Sequence, residues 1–212
     1  MAVSPVTCIS VVYGDYWDLF SDGWIASIRA LDPAPAEVIL ATDVPRRIDG
    51  VRTITIGQAH MADYYNATVA EAKTDWIFGG GFDDPWLPHA MMPVDTEADA
   101  YGYPMFRTGL INDTFSYKGG YDNIINLNHN PMEGGWFYRT ELLREIPFPR
   151  VGLLDYAHFL YMRAAAKTID AGGPPRSTMP RHERAHSMYH NAEHEAEIAH
   201  IKAALRAERA GG

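Results

Sequence analysis

The chain reads as an α/β protein: a mostly parallel central sheet flanked by helices, with a further helix at the C-terminus. Three observations predict this. Short β-branched apolar runs alternate with segments of helical periodicity. Acidic residues stand just after several of those runs, at Asp15, Asp43, Asp83 and Asp84. The 212 residues, 47% apolar and 21% charged, suit one domain with a sizeable core.

The elements follow in order. Val6 to Val12 is a buried strand by its β-branched content. Trp17, Phe20, Trp24, Ile28 and Leu31 recur at helical spacing, and Pro33 and Pro35 stop that helix. Val38 to Ala41 is a second strand, and Val51 to Ile56 alternates as a third. Ala62, Tyr65, Val69 and Ala72 mark a second helix. Trp76 to Phe78 is a fourth strand, ended by Gly79 to Gly81. The segment from Pro104 to Gly135 is rich in Gly, Asn, Asp and aromatics, the composition of a binding loop. Leu153 to Ala166 reads as a helix, and Tyr189 to Ala210 as the last one. Ile198, Ile201 and Leu205 give that helix an apolar stripe, which packs either on the domain or on a second copy in a homodimer.

Composition excludes several classes. No run of about 18 apolar residues exists, so no membrane span is expected. Met1 to Pro5 lacks the basic and apolar regions of a signal peptide. Cys8, the one cysteine, sits in an apolar run and reads as a small buried hydrophobe. Together these suit a cytoplasmic protein. A formal charge of −9 without a Lys/Arg block disfavours nucleic acid.

Strands alternating with helices place ligands beyond the carboxyl ends of the strands. Asp15, Asp43, Asp83 and Asp84 all fall there. Each singly suits a turn or a helix cap. As a set on one edge they repel one another unless a cation sits among them, which favours a metal site.

The ordered set of motifs resembles the family 2 glycosyltransferases, with their Rossmann-like GT-A nucleotide-sugar-binding fold. Ser10-Val11-Val12 with Tyr16 is similar to the opening SVVIPTYN, and Ala26 to Ala30 to the end of that family's first helix. Glu37 to Leu40 with Asp43 resembles EIIVVDD, Asn66 the asparagine of ARNxG, and Ala72 to Ile77 the AxGDYI segment. Asp83 to Pro88 resembles the DxDDxWxP region, Trp136 to Arg139 the xxFRR strand, and Asp155 with Phe159 and Arg163 the EDxxxxxR helix. Gly81 stands at the first DxD aspartate, Leu154 at the Glu before the base, Trp17 at the Asn of TYN, and Tyr65 at the Arg of ARN.

The resemblance implies a single domain over residues 1–212, with a nucleotide-sugar-binding half (1–103) and an acceptor and catalytic-base half (104–212). It implies transfer of a sugar from a nucleotide-diphosphate sugar, a UDP-sugar above all, to a hydroxyl acceptor on a glycan or protein. A divalent cation, Mn²⁺ or Mg²⁺, stabilises the leaving diphosphate in such chemistry, and hard cations prefer carboxylate oxygens. Asp83 is the implied metal ligand, and Asp84 contacts the sugar or supports the metal. Asp43 and Asn66 fall at the nucleotide, Asp15 and Tyr16 near the base or ribose. Asp155 is the implied general base of an inverting reaction; its residue type also suits a helix cap. Glu133 and Trp136 are candidates for acceptor contact. His182, His186, His190 and His194 are spaced by four, a spacing that can chelate a metal on one helix face. The family's C-terminal metal histidine points to His186, then His182. Two other readings remain open: a metal-dependent hydrolase using Asp83, Asp84 and the histidines, and a non-catalytic nucleotide- or sugar-binding relative.

Overall fold

The computed structural model describes residues 5–92, 97–103, 105–108, 113–115, 136–152, 154–165, 167–171, 173, 176–180, 196 and 199–204. Seven strands form the main sheet, ordered β3-β2-β1-β4-β8-β5-β9. They are β1 (Val6–Val12), β2 (Glu37–Thr42), β3 (Arg52–Thr55), β4 (Trp76–Gly79), β5 (Ala100–Gly102), β8 (Trp136–Arg139) and β9 (Ile169–Ala171). Strand β8 alone runs against its neighbours β4 and β5; every other pairing is parallel. A second sheet joins β6 (Met105–Thr108) to β7 (Asp113–Phe115) and β10 (Ser177–Pro180). Two of these strands fall inside the segment expected as a binding loop.

The two faces of the sheet take alternate residues of each strand, as the pleat requires. Ile9, Val11, Ile39, Ala41, Ile77 and Tyr138 point to one core. Helix α2 (Met61–Glu71), α3 (Thr140–Glu145) and α4 (Leu154–Ala164) cover it. Cys8, Val12, Val38, Leu40, Phe78 and Phe137 point to the other core. Helix α1 (Tyr16–Arg29) contributes Trp24 there, and a 3₁₀ turn at Pro88–Met91 contributes Ala90 and Met91. Cys8 is fully buried, as its apolar setting suggested. Ile201 also enters the first core, so the C-terminal stripe packs on the domain at that position. Among the described residues, no helix is long and apolar enough to cross a membrane.

The early strands and helices match their sequence signals within a residue or two. The capping of α2 is sharper than its sequence suggested. The His60 ring accepts from the Ala62 N–H at 3.1 Å, and the Asp63 carboxylate accepts from the His60 N–H at 3.1 Å.

His158 on α4 is fully buried. Its Nε2–H donates to the Ile146 carbonyl at 2.5 Å, leaving Nδ1 facing the Tyr138 hydroxyl at 3.3 Å. Burial pushes its pKa down from 6.5 to about 4. In the window between those values the unfolded chain binds the proton and the folded chain does not. Stability is therefore full above pH 6.5 and falls as pH drops through about 4. Urea unfolding should show a loss of about 3 kcal/mol across this window from His158 alone. The His158→Gln variant should lack that component, and an unchanged pH slope in it would refute the buried neutral histidine.

Candidate functional site

The parallel strands β1, β2 and β4 end on one edge of the sheet, and the acids follow them there. Val12 pairs with Thr42, so Tyr13 to Asp15 and Asp43 leave the sheet side by side. The turn after β1 needs Gly14, whose φ of +60° disfavours a side chain. Its N–H donates to Asp43 Oδ2 at 2.9 Å, tying the ends of β1 and β2 together. Asp15 is exposed at the start of α1 and makes no side-chain cap there.

Strand β4 delivers Gly80 to Asp84 to the same edge, because Ile9 of β1 pairs with Gly79. Both acid side chains fold back over Gly81. A Cβ at Gly81 would lie 2.7 Å from Asp83 Oδ1 and 2.7 Å from Asp84 Oδ2. The two oxygens are therefore separated by no more than twice that distance. A pair of hard carboxylate oxygens converging on one small volume fits a divalent cation in its chemistry. The absence of a side chain at residue 81, where the motif has its first aspartate, leaves room for this convergence. Among the described residues no group of three or more His, Cys, Asp or Glu forms a complete ligand set. His182 and His186 lie outside the described residues, as does Glu133.

An aromatic ladder spans the edge. Tyr13 stacks on Tyr16 at 6.4 Å and on Tyr64 of α2 at 5.4 Å. Partial burial, the Tyr64 hydroxyl and the Asp83 charge together raise the Tyr13 pKa, so this phenol stays protonated at neutral pH. On the other side Trp17 stacks on Phe82 at 6.0 Å, and the Arg46 guanidinium lies 4.4 Å from the Trp17 ring. Sequence reasoning singled out Tyr16 but missed Tyr13, Arg46 and Phe82. The signal was their position, within four residues of the ends of strands followed by acids.

The loop after the acids is braced from behind. Arg176 is buried, donates from Nη1 to the Ala90 and Met92 carbonyls at 2.6 Å each, and lies 5.1 Å from the Phe137 ring. The Leu87 N–H donates to the Arg176 carbonyl at 2.8 Å. These contacts fix the 3₁₀ turn against β10 and limit how far the acid loop can move.

Two expected site residues make contacts within the protein. Asn66 was expected at the nucleotide. Its Nδ2 donates to the Phe148 carbonyl, and its Oδ1 accepts from the Phe148 N–H, both at 2.9 Å. Trp136 was expected at the acceptor. It is 5% exposed and packs among Tyr65, Tyr138 and Phe148, with ring centroids 4.7–6.0 Å away. Its six-membered ring also fills the space where a Cβ of Gly79 would stand. Asp155 is the second residue of α4; its side chain lies outside the described residues.

No family profile matches the sequence, and no characterised protein matches it by sequence either. Solved structures do match. The chain is similar to S. aureus TarS residues 1–349 in complex with UDP-GlcNAc, at a TM-score of 0.71 and 14% identity. That match covers 96% of this chain and 66% of the TarS fragment, so the chain spans just under two thirds of it. It is also similar to the mannosyltransferase PcManGT from Pyrobaculum calidifontis in complex with GDP-Man and Mn²⁺. There the TM-score is 0.60 at 15% identity, covering 96% of this chain and 70% of that one. A third is glucosyl-3-phosphoglycerate synthase from Mycobacterium tuberculosis with Mn²⁺, UDP and glucosyl-3-phosphoglycerate. Its TM-score is 0.61 at 10% identity, covering 95% of this chain and 80% of that one. The chain has the GT-A fold.

The enclosure of Trp136 has a measurable consequence. Trp136→Ala should cost roughly 3–5 kcal/mol in urea unfolding, the usual range for removing a buried aromatic. A ring that served only to stack on a bound sugar would cost within about 0.5 kcal/mol.

Proposed function

We propose that this protein is a glycosyltransferase that moves a sugar from a nucleotide-diphosphate sugar to a hydroxyl acceptor, with inversion and with the help of a divalent cation. The observation that carries the reading is the convergence of the Asp83 and Asp84 carboxylates over Gly81. They stand on the strand edge where this fold binds ligands. The fold's neighbours hold UDP-GlcNAc, UDP or GDP-Man, two of them beside Mn²⁺, which supports the same reading.

In this reading Asp83 is the principal ligand of Mn²⁺ or Mg²⁺. Asp84 completes the pair or contacts the sugar, and His186 or His182 is the nitrogen ligand. The cation, when bound, supplies positive charge opposite the departing diphosphate. Asp43 and Asp15 face the ribose and base, with Tyr16 and the neighbouring Tyr13 offering aromatic faces. A UDP-sugar is the proposed donor and a glycan or protein hydroxyl the proposed acceptor, with Glu133 as an acceptor contact. The acceptor oxygen attacks the anomeric carbon as the bond from that carbon to the diphosphate oxygen breaks. The acceptor proton passes to the Asp155 carboxylate, and nucleoside diphosphate leaves. A non-catalytic nucleotide-sugar binder is a second reading, favoured by Gly81 in place of the first motif aspartate.

A panel of nucleotide sugars with Mn²⁺ and candidate acceptors separates the two. The enzyme releases nucleoside diphosphate; a binder shows only thermal stabilisation. Asp83→Asn should abolish the metal dependence of UDP binding in calorimetry while the fold persists. Equal UDP affinity with and without Mn²⁺ in the unaltered protein would sink the metal assignment.

A Cβ at Gly81 would stand 2.7 Å from both carboxylate oxygens, so Gly81→Ala should push the pair apart. The displaced pair should then bind Mn²⁺ more weakly. Undiminished Mn²⁺ affinity would show that the convergence is not used.

Asp155→Asn should lower turnover by roughly 10²–10⁴-fold with donor affinity preserved. Near-normal turnover would remove the base assignment.

A further inference from the structure

Four consecutive residues near the start of α2 reach both the acid edge and the segment that enters α4. Asp63 accepts from Arg150 Nε at 2.8 Å. Tyr64 stacks on Tyr13 and donates from its hydroxyl to the Gly57 carbonyl at 2.5 Å. Tyr65 directs its hydroxyl at the Gly80 carbonyl, 3.5 Å away, just before the acid pair, and packs its ring on Phe148 at 5.2 Å. Asn66 closes a two-bond clamp on the Phe148 backbone. About one helical turn thus touches the edge that holds the acids and also the chain that enters α4.

The entering segment is packed as well as bonded: Phe148 lies against Tyr138 and His158, and Ile146 and Val151 pack on the first core. Between α3 and α4 it contains Pro147 and Pro149 and forms no regular element. Hydrogen bonds tie Ile146 to His158, and Phe148 and Arg150 to α2. Phe148 also packs on Trp136 at 5.4 Å, at the end of β8 that pairs with Gly79. Arg150 itself is largely exposed, so that tie is the weaker one. The Asn66 clamp, partly buried and bidentate, fixes both polar atoms of one peptide residue in a single direction.

We propose that Asn66 is a positioning residue. With Asp63 it holds the segment 146–152 against the acid edge, and thereby sets where α4 presents Asp155 to the bound donor. This rests on the reading of Asp155 as the base. It assigns a use to the family-like asparagine that differs from direct nucleotide contact. The coupling is mechanical: the same helix turn that packs beside Asp43 and Gly80 dictates the register of the base-bearing helix.

The test compares Asn66→Ala and Arg150→Met with the unaltered chain, by hydrogen exchange, UDP calorimetry with Mn²⁺, and turnover. Arg150→Met alters an exposed side chain and keeps the experiment informative if the Asn66 variant folds poorly. In Asn66→Ala, exchange should quicken over 146–152 and the first turn of α4. UDP affinity should stay within about twofold while turnover falls by about 10²-fold, a loss in kcat and not in binding. Arg150→Met should shift the same readouts in the same direction by less. Unchanged exchange in both variants would overturn the clamp. Faster exchange with unchanged turnover would overturn the positioning role. A parallel loss of UDP affinity would return Asn66 to the nucleotide. If the unaltered chain turns over no nucleotide sugar, the functional reading fails, and exchange over 146–152 still decides whether the clamp exists.

Discussion

The parallel pairing of β1 with both β2 and β4 is the constraint from which the edge follows. Its register brings Val12 beside Thr42 and Ile9 beside Gly79. Three chain segments then leave the sheet together, carrying Asp15, Asp43 and the Asp83–Asp84 pair. The register is held by burial on both faces. A slip of one residue would exchange Ile9 and Val11 with Cys8 and Val12, and would misfit both cores at once. The acids repel one another on this edge, but the repulsion is small beside the loss of two packed faces. The sheet therefore imposes proximity on charges that would otherwise separate, and proximity is what gives them a chemical use.

The reversal of β8 has a second consequence. It brings Trp136 opposite Gly79, where the ring occupies the space that a side chain on Gly79 would need. The glycine is thus a packing requirement as well as a strand terminator. Around this contact gather Tyr65, Tyr138 and Phe148, and through them α2 and the segment before α4. The structural half of the edge is aromatic and closed; the acid half is polar and partly exposed. Placing a dry, rigid cluster directly behind a charged site keeps the site's geometry from relaxing when charge is brought in.

Much of this was legible in the residues. The β-branched run Val6 to Val12, the helical spacing from Trp17 to Leu31 and the acids after three of the early strands are local signals, and local physics writes them. The resemblance in motif order led to the GT-A fold that the solved structures share. The short strands β5, β9 and β10 were not legible, since three or four residues carry too little periodicity. Asn66 and Trp136 allow two readings from sequence for one reason. Their residue types suit both ligands and protein, and only the partner at a separation of 82 residues, or the ring-filled space above a glycine, distinguishes the two. His158 drew no notice because a histidine within an apolar helix face looks like any other until its two nitrogens are seen to be engaged.

By itself the sequence determined the α/β class, the early strands and helices, the buried state of Cys8 and the candidacy of the acids. Each depends on neighbours in the chain or on a residue's transfer from water, and these are properties of short segments. The tertiary structure decided which candidates meet. It closed Asp83 and Asp84 over the bare Gly81, set Tyr13 near Asp83, laid Arg46 over Trp17, and tied Asn66 and Trp136 to partners within the protein. Those outcomes depend on strand order and on contacts between segments far apart in the chain. No local preference encodes them, because the same side chain satisfies its hydrogen bonds or buries its ring equally well against a ligand or against the protein.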